Sequence, residues 1–300
     1  MAKRRSRSRR RRTPRRVGLV LLALAVVALG FFLAGRIQRT VKRTLPRTPA
    51  ARPATPAKRA PERARPAPSP PAEAPAGRIA LVFDDFGRSL AEIEKVEALG
   101  IPVSFAVLPF ESRTAEVVER LAARGHEILC HLPMEAEGGE NPGRDAILEG
   151  QGAAEMAALT GRALDAVPGA VGVNNHMGSR ITADAAAMRA ILGVVGRRGL
   201  FFLDSRTTPE SRAYDVARAL DLASARRDVF LDPDADAATV RAEFARLLET
   251  ARERGAAIGI AHPRPVTLAA LAPEIAAAKR EGWEFVPVSY LVERNEKLPD

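Results

Sequence analysis

Short apolar segments alternate with segments of helical periodicity from Arg78 onward. This strict alternation predicts an α/β fold in which a parallel sheet is covered by helices. Seven or eight short strands in roughly 220 residues favour a parallel (β/α) barrel, incomplete or distorted, and a doubly wound open sheet is the alternative. The predicted strands span residues 79–83, 103–108, 127–130, 170–173, 200–204, 229–231, 257–261 and 284–286. The longer predicted helices span residues 146–166, 183–198, 237–254 and 268–281.

Charge is distributed unevenly along the chain. Residues 1–77 hold 20 of the 46 Lys and Arg but only two acids, whereas the rest of the chain holds 26 bases and 34 acids. The folded region is therefore acidic, which excludes a general affinity for nucleic-acid backbones. A single cysteine, Cys130, excludes an intramolecular disulfide framework.

An apolar stretch without charged or hydrogen-bonding side chains occupies residues 17–35. As a helix it would be about 28 Å long, close to the hydrocarbon thickness of a bilayer, and this predicts a single-pass transmembrane anchor. A cleavable signal peptide, with Ala28-Leu29-Gly30 as the small-residue cleavage site, is the alternative. Ten Lys and Arg in residues 1–16 predict a cytoplasmic tail. We therefore expect the inner membrane to hold residues 17–35 and the remaining chain to face the periplasm or the cell exterior.

Residues 36–77 are rich in Pro, Ala and Arg, and ten of the chain's 23 prolines fall between residues 44 and 77. Proline at this density prevents helices and sheet ladders and favours extended, solvated chain. We therefore predict a disordered linker over residues 36–77 that separates the membrane from one folded domain in residues 78–300.

Ionisable residues follow several of the predicted strands. The carboxyl ends of parallel strands meet at one edge of a sheet or barrel, where chemistry gathers in α/β folds. Three of the four histidines occupy such positions. The strand-end residues are Asp84 and Asp85 after the first strand, His131 after the third, His176 after the fourth, Asp204 after residues 200–203, and His262 after residues 257–261.

Carboxylates and imidazoles on a compact site with an open position are the groups with which zinc activates water. Side chains alternate along a strand, so we expect Asp84 and Asp85 to point in opposite directions, one binding a cation and one accepting a proton. A histidine on the far side could protonate a leaving group. The residues at the strand ends therefore favour metal-assisted hydrolysis.

Five short motifs carry a family resemblance. In combination they resemble the polysaccharide deacetylases of the carbohydrate esterase group, and most closely the divergent bacterial branch of that family. The resemblance covers residues 78–292. The motifs are FDDFG at residues 83–87, GHEI at 125–128 leading to His131, NNHMGS at 174–179, FLDS at 202–205, and IAH at 260–262.

The resemblance implies the role of each matching residue. Asp84 would be the catalytic base, Asp85 and His131 would be metal ligands, and His262 would be the general acid. The implied reaction is attack on an N-acetyl carbonyl by metal-bound water, which gives a free amine and acetate. The implied cofactor is a divalent metal, with zinc expected, and the implied partner is a cell-envelope glycan.

The sequence departs from the ordinary family pattern at the second metal histidine. That residue usually lies four positions after the first, where this chain has Glu135. Either Glu135 or His176 would complete the ligand set. We favour His176 because an imidazole keeps the ordinary ligands and the motif of the divergent branch is centred on it.

We assign Asp204, Ser205 and Arg180 to substrate binding. The whole chain has one Trp and two Tyr, a shortage that argues against a long polysaccharide groove lined by stacking rings. The sequence therefore predicts a membrane-anchored, metal-dependent deacetylase acting on a cell-envelope glycan. The alternative is an envelope protein that has lost the reaction and binds a glycan or a protein in the same pocket.

Overall fold

The computed structural model describes residues 76–292. The first strand is a run of aliphatic residues with no helical periodicity, and it is buried on both faces, as the central strand of a parallel sheet must be. The strands are β1 (Arg78–Phe86), β2 (Ser104–Val107), β3 (Glu127–Met134), β4 (Gly172–Met177), β5 (Phe201–Asp204), β6 (Ser224–Arg226), β7 (Val229–Phe230), β8 (Ala256–Ala261) and β9 (Glu284–Phe285). The helices are α1 (Ala91–Glu97), α2 (Thr114–Ala123), α3 (Ala153–Ala166), α4 (Ser179–Ala183), α5 (Ala185–Arg197), α6 (Ala213–Ala219), α7 (Ala237–Arg254) and α8 (Pro265–Arg280), followed by a 3₁₀ turn at Val288–Leu291.

Within the described residues the strands form one parallel sheet in the order β6-β5-β4-β3-β2-β1-β8-β7, with β9 paired to the start of β1. The two end strands, β6 and β7, follow one another in the chain and are joined by two residues. The amide of Arg227 donates to the Asp204 carbonyl at 2.9 Å, and the amide of Asp228 donates to the Ile258 carbonyl at 3.0 Å. The linking residues thus pass from the β5 edge to the β8 edge, and the sheet curls into the incomplete (β/α) barrel expected from the sequence.

Alternation of side chains divides the core into two layers. One apolar cluster lies between the outer face of the sheet and the helices and includes Leu81, Phe105 and Leu132. A smaller cluster lies inside the curl. Its fully or nearly fully buried members are Ala80, Val82, Ala106, Leu129, Phe201, Leu203, Ala225, Ile258, Ile260, Val286 and Val288. This inner layer fills the barrel interior below the carboxyl ends of the strands, which leaves those ends for polar residues.

Several predicted boundaries differ from the structure. Strands β3 and β4 continue through His131 and His176, which therefore lie within the ladder and not after it. The helix predicted over residues 146–166 begins only at Ala153, because Gly150 has a positive φ and Ile147 forms a bridge with Met134. The helix predicted over residues 183–198 is confirmed as α5, and it begins at Ala185 because Asp184 caps it through hydrogen bonds from the amides of residues 186 and 187.

The predicted cytoplasmic tail and anchor, and all but the last two residues of the predicted linker, lie outside the described residues. In residues 76–292 no helix combines the length and the apolar character that a membrane span requires.

Candidate active site

Polar side chains at the carboxyl ends of the strands point into the barrel because they continue the inward-facing positions of the strands. Each of them stands two residues after a member of the inner apolar cluster. The period of two therefore brings them to one end of the barrel. The pairs are Val82 and Asp84 in β1, Leu129 and His131 in β3, Leu203 and Ser205 at the end of β5, and Ile260 and His262 at the end of β8.

Asp85 breaks this alternation. Its φ is 67°, a left-handed conformation that non-glycine residues seldom adopt, and the register between β1 and β2 shifts between Phe83 and Phe86. The result is that both aspartates approach the same imidazole, with Asp84 Oδ2 at 3.6 Å and Asp85 Oδ1 at 3.4 Å from His131 Nε2. The expectation that Asp84 and Asp85 point in opposite directions is therefore wrong, because the bulge turns Asp85 inward.

Three potential ligand atoms form a small triangle. Asp85 Oδ1 lies 3.0 Å from His176 Nδ1 and 3.4 Å from His131 Nε2, and the two ring nitrogens are 3.1 Å apart. Ligand atoms of a tetrahedral zinc ion, each about 2.1 Å from the metal, are separated by about 3.4 Å. Asp85 Oδ1 is also buried without a hydrogen-bond partner. The triangle therefore fits three ligands on one face of a tetrahedral divalent cation.

Asn174 connects the candidate base to a candidate ligand. It lies directly opposite His131 in the β3–β4 ladder and is fully buried. Its side-chain NH₂ donates to Asp84 Oδ1 at 2.8 Å, and its Oδ1 accepts from His131 Nδ1 at 2.9 Å. With Nδ1 as the donor, the lone pair of a neutral His131 is on Nε2, the atom that faces Asp85.

His262 is held by an aspartate that the sequence analysis did not select. Asp232 is fully buried; its Oδ1 lies 3.1 Å from His262 Nδ1, and its Oδ2 accepts from the His262 amide at 3.0 Å and from Thr267 Oγ1 at 2.9 Å. The opposite ring nitrogen, Nε2, faces the metal-ligand candidates and lies 3.7 Å from Asp85 Oδ2.

Burial and neighbouring charges shift the pKa values of four of these groups. Burial raises the pKa of Asp84, and the opposing effects of His131 and His262 are smaller. Burial also acts to raise the pKa of Asp85, but its two imidazole neighbours hold that pKa well below its usual range. For His131 and His262, burial acts to lower the pKa, while the surrounding aspartates outweigh it and raise the pKa of both histidines.

These residues line an open cavity of about 410 Å³. One side of it holds the two aspartates and the ligand histidines. The other side is formed by the loop after β5, the β6–β7 link and the loop after β8. The lining residues on that second side include Ser205, Arg206, Thr207, Arg227, Phe230, His262 and Arg264.

The structure gives the remaining predicted site residues different positions. Ser205 lines the cavity, and its amide donates to Asn175 Oδ1 at 2.9 Å. Asp204 faces away, accepting from the Arg206 amide at 2.8 Å and from Ser211 Oγ at 2.8 Å. It is not among the lining residues, so a role for Asp204 in substrate binding stays a prediction.

Arg180 also lies outside the cavity lining. Its Nε is 3.2 Å from Glu135 Oε1, and its Nη1 is 3.2 Å from Glu149 Oε2. The substrate role predicted for Arg180 likewise stays a prediction. The structure brings His176, not Glu135, into the cluster with Asp85 and His131.

Two residues of the site were missed by sequence reasoning. Asp232 directly follows the predicted strand over residues 229–231, so the strand-end rule applied to the other acids would have selected it. Asn174 stands two positions before His176 and therefore on the same face of the strand, which was the available signal.

The arrangement of aspartates and histidines at the end of a curled parallel sheet agrees with a family match. A model of the divergent polysaccharide deacetylase family matches residues 81–292. The chain belongs to the divergent polysaccharide deacetylase family. All five catalytic and metal-ligand candidates predicted from the sequence fall within the matched range, as does Asp232.

Curated relatives and a solved structure are similar to this member of the deacetylase family over most of the described residues. The uncharacterized protein YibQ of Escherichia coli is 34% identical over 196 residues, which cover 65% of this chain and 61% of YibQ, so this chain spans less than two thirds of that relative. An uncharacterized protein of Haemophilus influenzae is 34% identical over 194 residues, covering 65% of this chain and 69% of the relative. The crystal structure of an uncharacterized protein from Agrobacterium tumefaciens has a TM-score of 0.67 and 29% identity, covering 74% of this chain and 91% of that one.

Proposed function

We propose that this protein is a metal-dependent hydrolase that removes N-acetyl groups from a cell-envelope glycan. The observation that carries the proposal is the triangle of Asp85, His131 and His176, with Asp84 Oδ2 3.6 Å from His131 Nε2 and His262 Nε2 3.7 Å from Asp85 Oδ2. Family membership supports the carbohydrate substrate class and the deacetylation reaction.

Asp85, His131 and His176 would hold the divalent cation, which we propose to be zinc. A cation bound there supplies Lewis acidity toward the acetyl carbonyl and lowers the pKa of a coordinated water. Asn174 prepares His131 for this role because its Oδ1 accepts a hydrogen bond from Nδ1–H and leaves Nε2 free to bind.

Asp84 would accept the proton of the attacking water. Its Oδ1 is occupied by Asn174, whereas its Oδ2 lies beside the ligand His131 and is available on the cavity side. Burial raises the pKa of this carboxylate, and a more basic carboxylate is a better proton acceptor. As the water oxygen bonds to the acetyl carbon, its proton passes to Asp84.

His262 would donate a proton to the nitrogen of the amine as the C–N bond breaks. Asp232 Oδ1 binds Nδ1 and so turns Nε2 toward the cavity, and its negative charge favours the imidazolium form, in which Nε2 also carries a proton. Although burial alone lowers the pKa of His262, Asp232, Asp84 and Asp85 raise it overall, and this favours the protonated ring. The products are acetate and a free amino sugar.

We propose that residues 17–35 anchor the protein in the inner membrane, with residues 1–16 in the cytoplasm and the folded domain in the periplasm or outside the cell. The support is the apolar stretch and its basic flank in the sequence. Retention of the full chain by membranes after an alkaline wash, and its release when residues 17–35 are deleted, would support the anchor. Recovery of the full chain in the soluble fraction would contradict it.

Acetate release from N-acetylated glycans by the full, zinc-loaded chain tests the reaction. Asp84→Asn should abolish release while keeping the metal, whereas Asp85→Asn should lose both. If glycan binds but neither the wild type nor any variant releases acetate, the protein is a binding protein that uses the same pocket. Release that is unaffected by Asp84→Asn would refute the assignment of the base.

A further inference from the structure

The part of the cavity lining formed by the loops after β5 and β8 and by the β6–β7 link is rich in arginine. Arg206 follows β5, Arg227 lies in the link between β6 and β7, and Arg264 follows β8, and all three line the cavity. Arg264 has a counter-charge, because its Nη1 donates to the Asp232 carbonyl at 3.0 Å and lies 3.6 Å from Asp232 Oδ2. Within residues 76–292, Arg206 and Arg227 form no ion pair with any acid.

Arg227 is held in place by backbone groups. Its Nε donates to the Ser205 carbonyl at 2.6 Å, and its Nη2 donates to the Arg206 carbonyl at 2.7 Å. The guanidinium also stacks on the Phe230 ring, 5.0 Å from the centroid. Neutral carbonyls fix its orientation but do not balance its charge. Burial lowers the pKa of Arg227 and the charge of Arg206 lowers it further, while the charges of Asp204 and Asp84 offset only part of this, so the pKa stays below its ordinary value.

Arg206 is presented to the cavity by a strained turn. Its φ is 48°, in the left-handed region, and its amide is fixed by Asp204 Oδ1 at 2.8 Å. In the described part of the chain, its exposed side chain forms no hydrogen bond. Two neighbouring guanidinium groups without acid partners repel each other, and an anion between them would remove that repulsion.

The surface available for sugar stacking is correspondingly small. Among the described residues that line the cavity, Phe230 is the one residue of the Phe, Tyr and Trp class. Its ring contacts the guanidinium of Arg227 and also forms a T-shaped pair with the His262 ring at a centroid distance of 5.6 Å. The cavity therefore offers more charged groups that can bind an anion than aromatic rings on which a sugar can stack.

We propose that the substrate is an amino sugar carrying an anionic group, a carboxylate or a phosphate, which Arg206 and Arg227 bind while the acetamide lies at the metal triangle. This inference rests on the proposed deacetylase function. Arg227 links the proposed anion site to the catalytic residues, because it stacks on Phe230 and Phe230 in turn contacts His262. A planar guanidinium binds a carboxylate or a phosphate through two parallel hydrogen bonds, so the experiment includes one probe of each kind.

The experiment compares three probes on the full, zinc-loaded chain. They are a neutral N-acetylglucosamine trimer, a disaccharide of N-acetylglucosamine and N-acetylmuramic acid that carries a carboxylate, and N-acetylglucosamine 6-phosphate. We expect at least one anionic probe to exceed the neutral one about tenfold in kcat/KM, and the stronger of the two identifies the anion. Arg206→Ala should lower this preference about tenfold, and Arg206→Lys should lower it less. Arg189→Ala, which removes an exposed arginine on α5 away from the cavity, should leave the preference unchanged.

Dissociation constants measured in the Asp84→Asn background separate this inference from the proposed reaction. If no probe releases acetate, tighter binding of an anionic probe that weakens in Arg206→Ala still supports the anion site while the deacetylase proposal fails. If acetate is released but the neutral probe is bound and cleaved as well as both anionic probes, the anion site is refuted and the deacetylase proposal stands. If Arg206→Ala weakens the binding of neutral and anionic probes equally, the anion site is also refuted.

Discussion

The side chain of Asn174 donates a 2.8 Å hydrogen bond to Asp84 Oδ1. Its carbonyl oxygen simultaneously accepts a hydrogen bond from His131 Nδ1. One buried amide thus sets both the orientation of the candidate base and the tautomer of a candidate metal ligand. Neither group can rotate without breaking its bond to Asn174, so the two positions are coupled.

Asn174→Ala is expected to weaken metal binding about 10- to 100-fold, because a histidine ligand loses the partner that orients it. The measurement is the zinc dissociation constant by competition with a chelator. Asn175→Ala is the matched control: Asn175 is equally buried, but it bonds the Ser205 amide and the Met177 carbonyl and neither Asp84 nor His131. Wild-type zinc affinity in Asn174→Ala would contradict the coupling.

Removal of the metal should destabilise the domain. A cation that binds only the folded state adds about 2.7 kcal/mol at 100 times its dissociation constant, which for a domain of this size corresponds to a Tm change of about 5–10 °C. Differential scanning calorimetry with zinc and with a chelator measures the change. His176→Ala should reduce the zinc-dependent rise in Tm, whereas Glu135→Gln should retain it. A zinc response lost in Glu135→Gln and kept in His176→Ala would reverse the ligand assignment.

Asp232→Asn should change the pH profile of deacetylation. Although burial lowers the pKa of His262, the Asp232 carboxylate contributes to its overall rise. Without that negative charge the pKa of His262 falls, so the acid loses its proton at lower pH. The loss of kcat on the alkaline side should therefore move to lower pH. Asp228→Asn is the control, since Asp228 bonds the Ile258 amide and Arg254 and does not line the cavity. An alkaline limb that stays in place in Asp232→Asn would exclude His262 as the titrating acid.

Gly178 supports the turn that follows His176. Its φ is 88°, and an added Cβ would lie 2.9 Å from the Met134 Cβ. Gly169 has a φ of 82° with open space around the corresponding position. Gly169→Ala therefore measures backbone strain alone, and Gly178→Ala adds a clash inside the packed β3–β4 pair. In urea unfolding, we expect Gly178→Ala to lower the free energy of unfolding by about 1–3 kcal/mol more than Gly169→Ala does. We also expect Gly178→Ala to weaken zinc binding. Equal losses would indicate that the turn can move away from β3.

Cys130 should be inert in the folded protein. Burial raises the pKa of its thiol to about 12 from an ordinary value of 9.0. A thiol reagent at pH 8 should label the protein only after unfolding. Because the folded pKa is the higher one, this group's contribution to stability is complete below pH 9 and is lost as the pH rises toward 12. Rapid labelling of the native protein would show that β3 opens.

All the described strands except β6 could be predicted, because an apolar run lies in or beside each of them, and the strand-end rule then brought Asp84, His131 and His262 to one edge. The orientation of Asp85 could not be predicted, since it depends on a left-handed φ at a bulge that has no sequence signature in a non-glycine residue. The partnership of Asn174 with Asp84 depends on the register between distant strands, which local patterns do not specify. β6 was missed because its three residues, Ser-Ala-Arg, contain no apolar run.

Within the described residues the barrel is open between β6 and β7, the two end strands of the sheet, and Arg227 lies in this gap. Each pair of neighbouring strands in the order from β6 through β1 to β7 is joined by a ladder of backbone hydrogen bonds. Strands β6 and β7 close the curl without such a ladder, and the chain passes between them through Arg227 and Asp228. An insertion or deletion there would alter the width of the mouth without breaking a ladder. Relatives that share the metal-binding half of the site could therefore diverge in the size of molecule they admit through the length of this one short bridge.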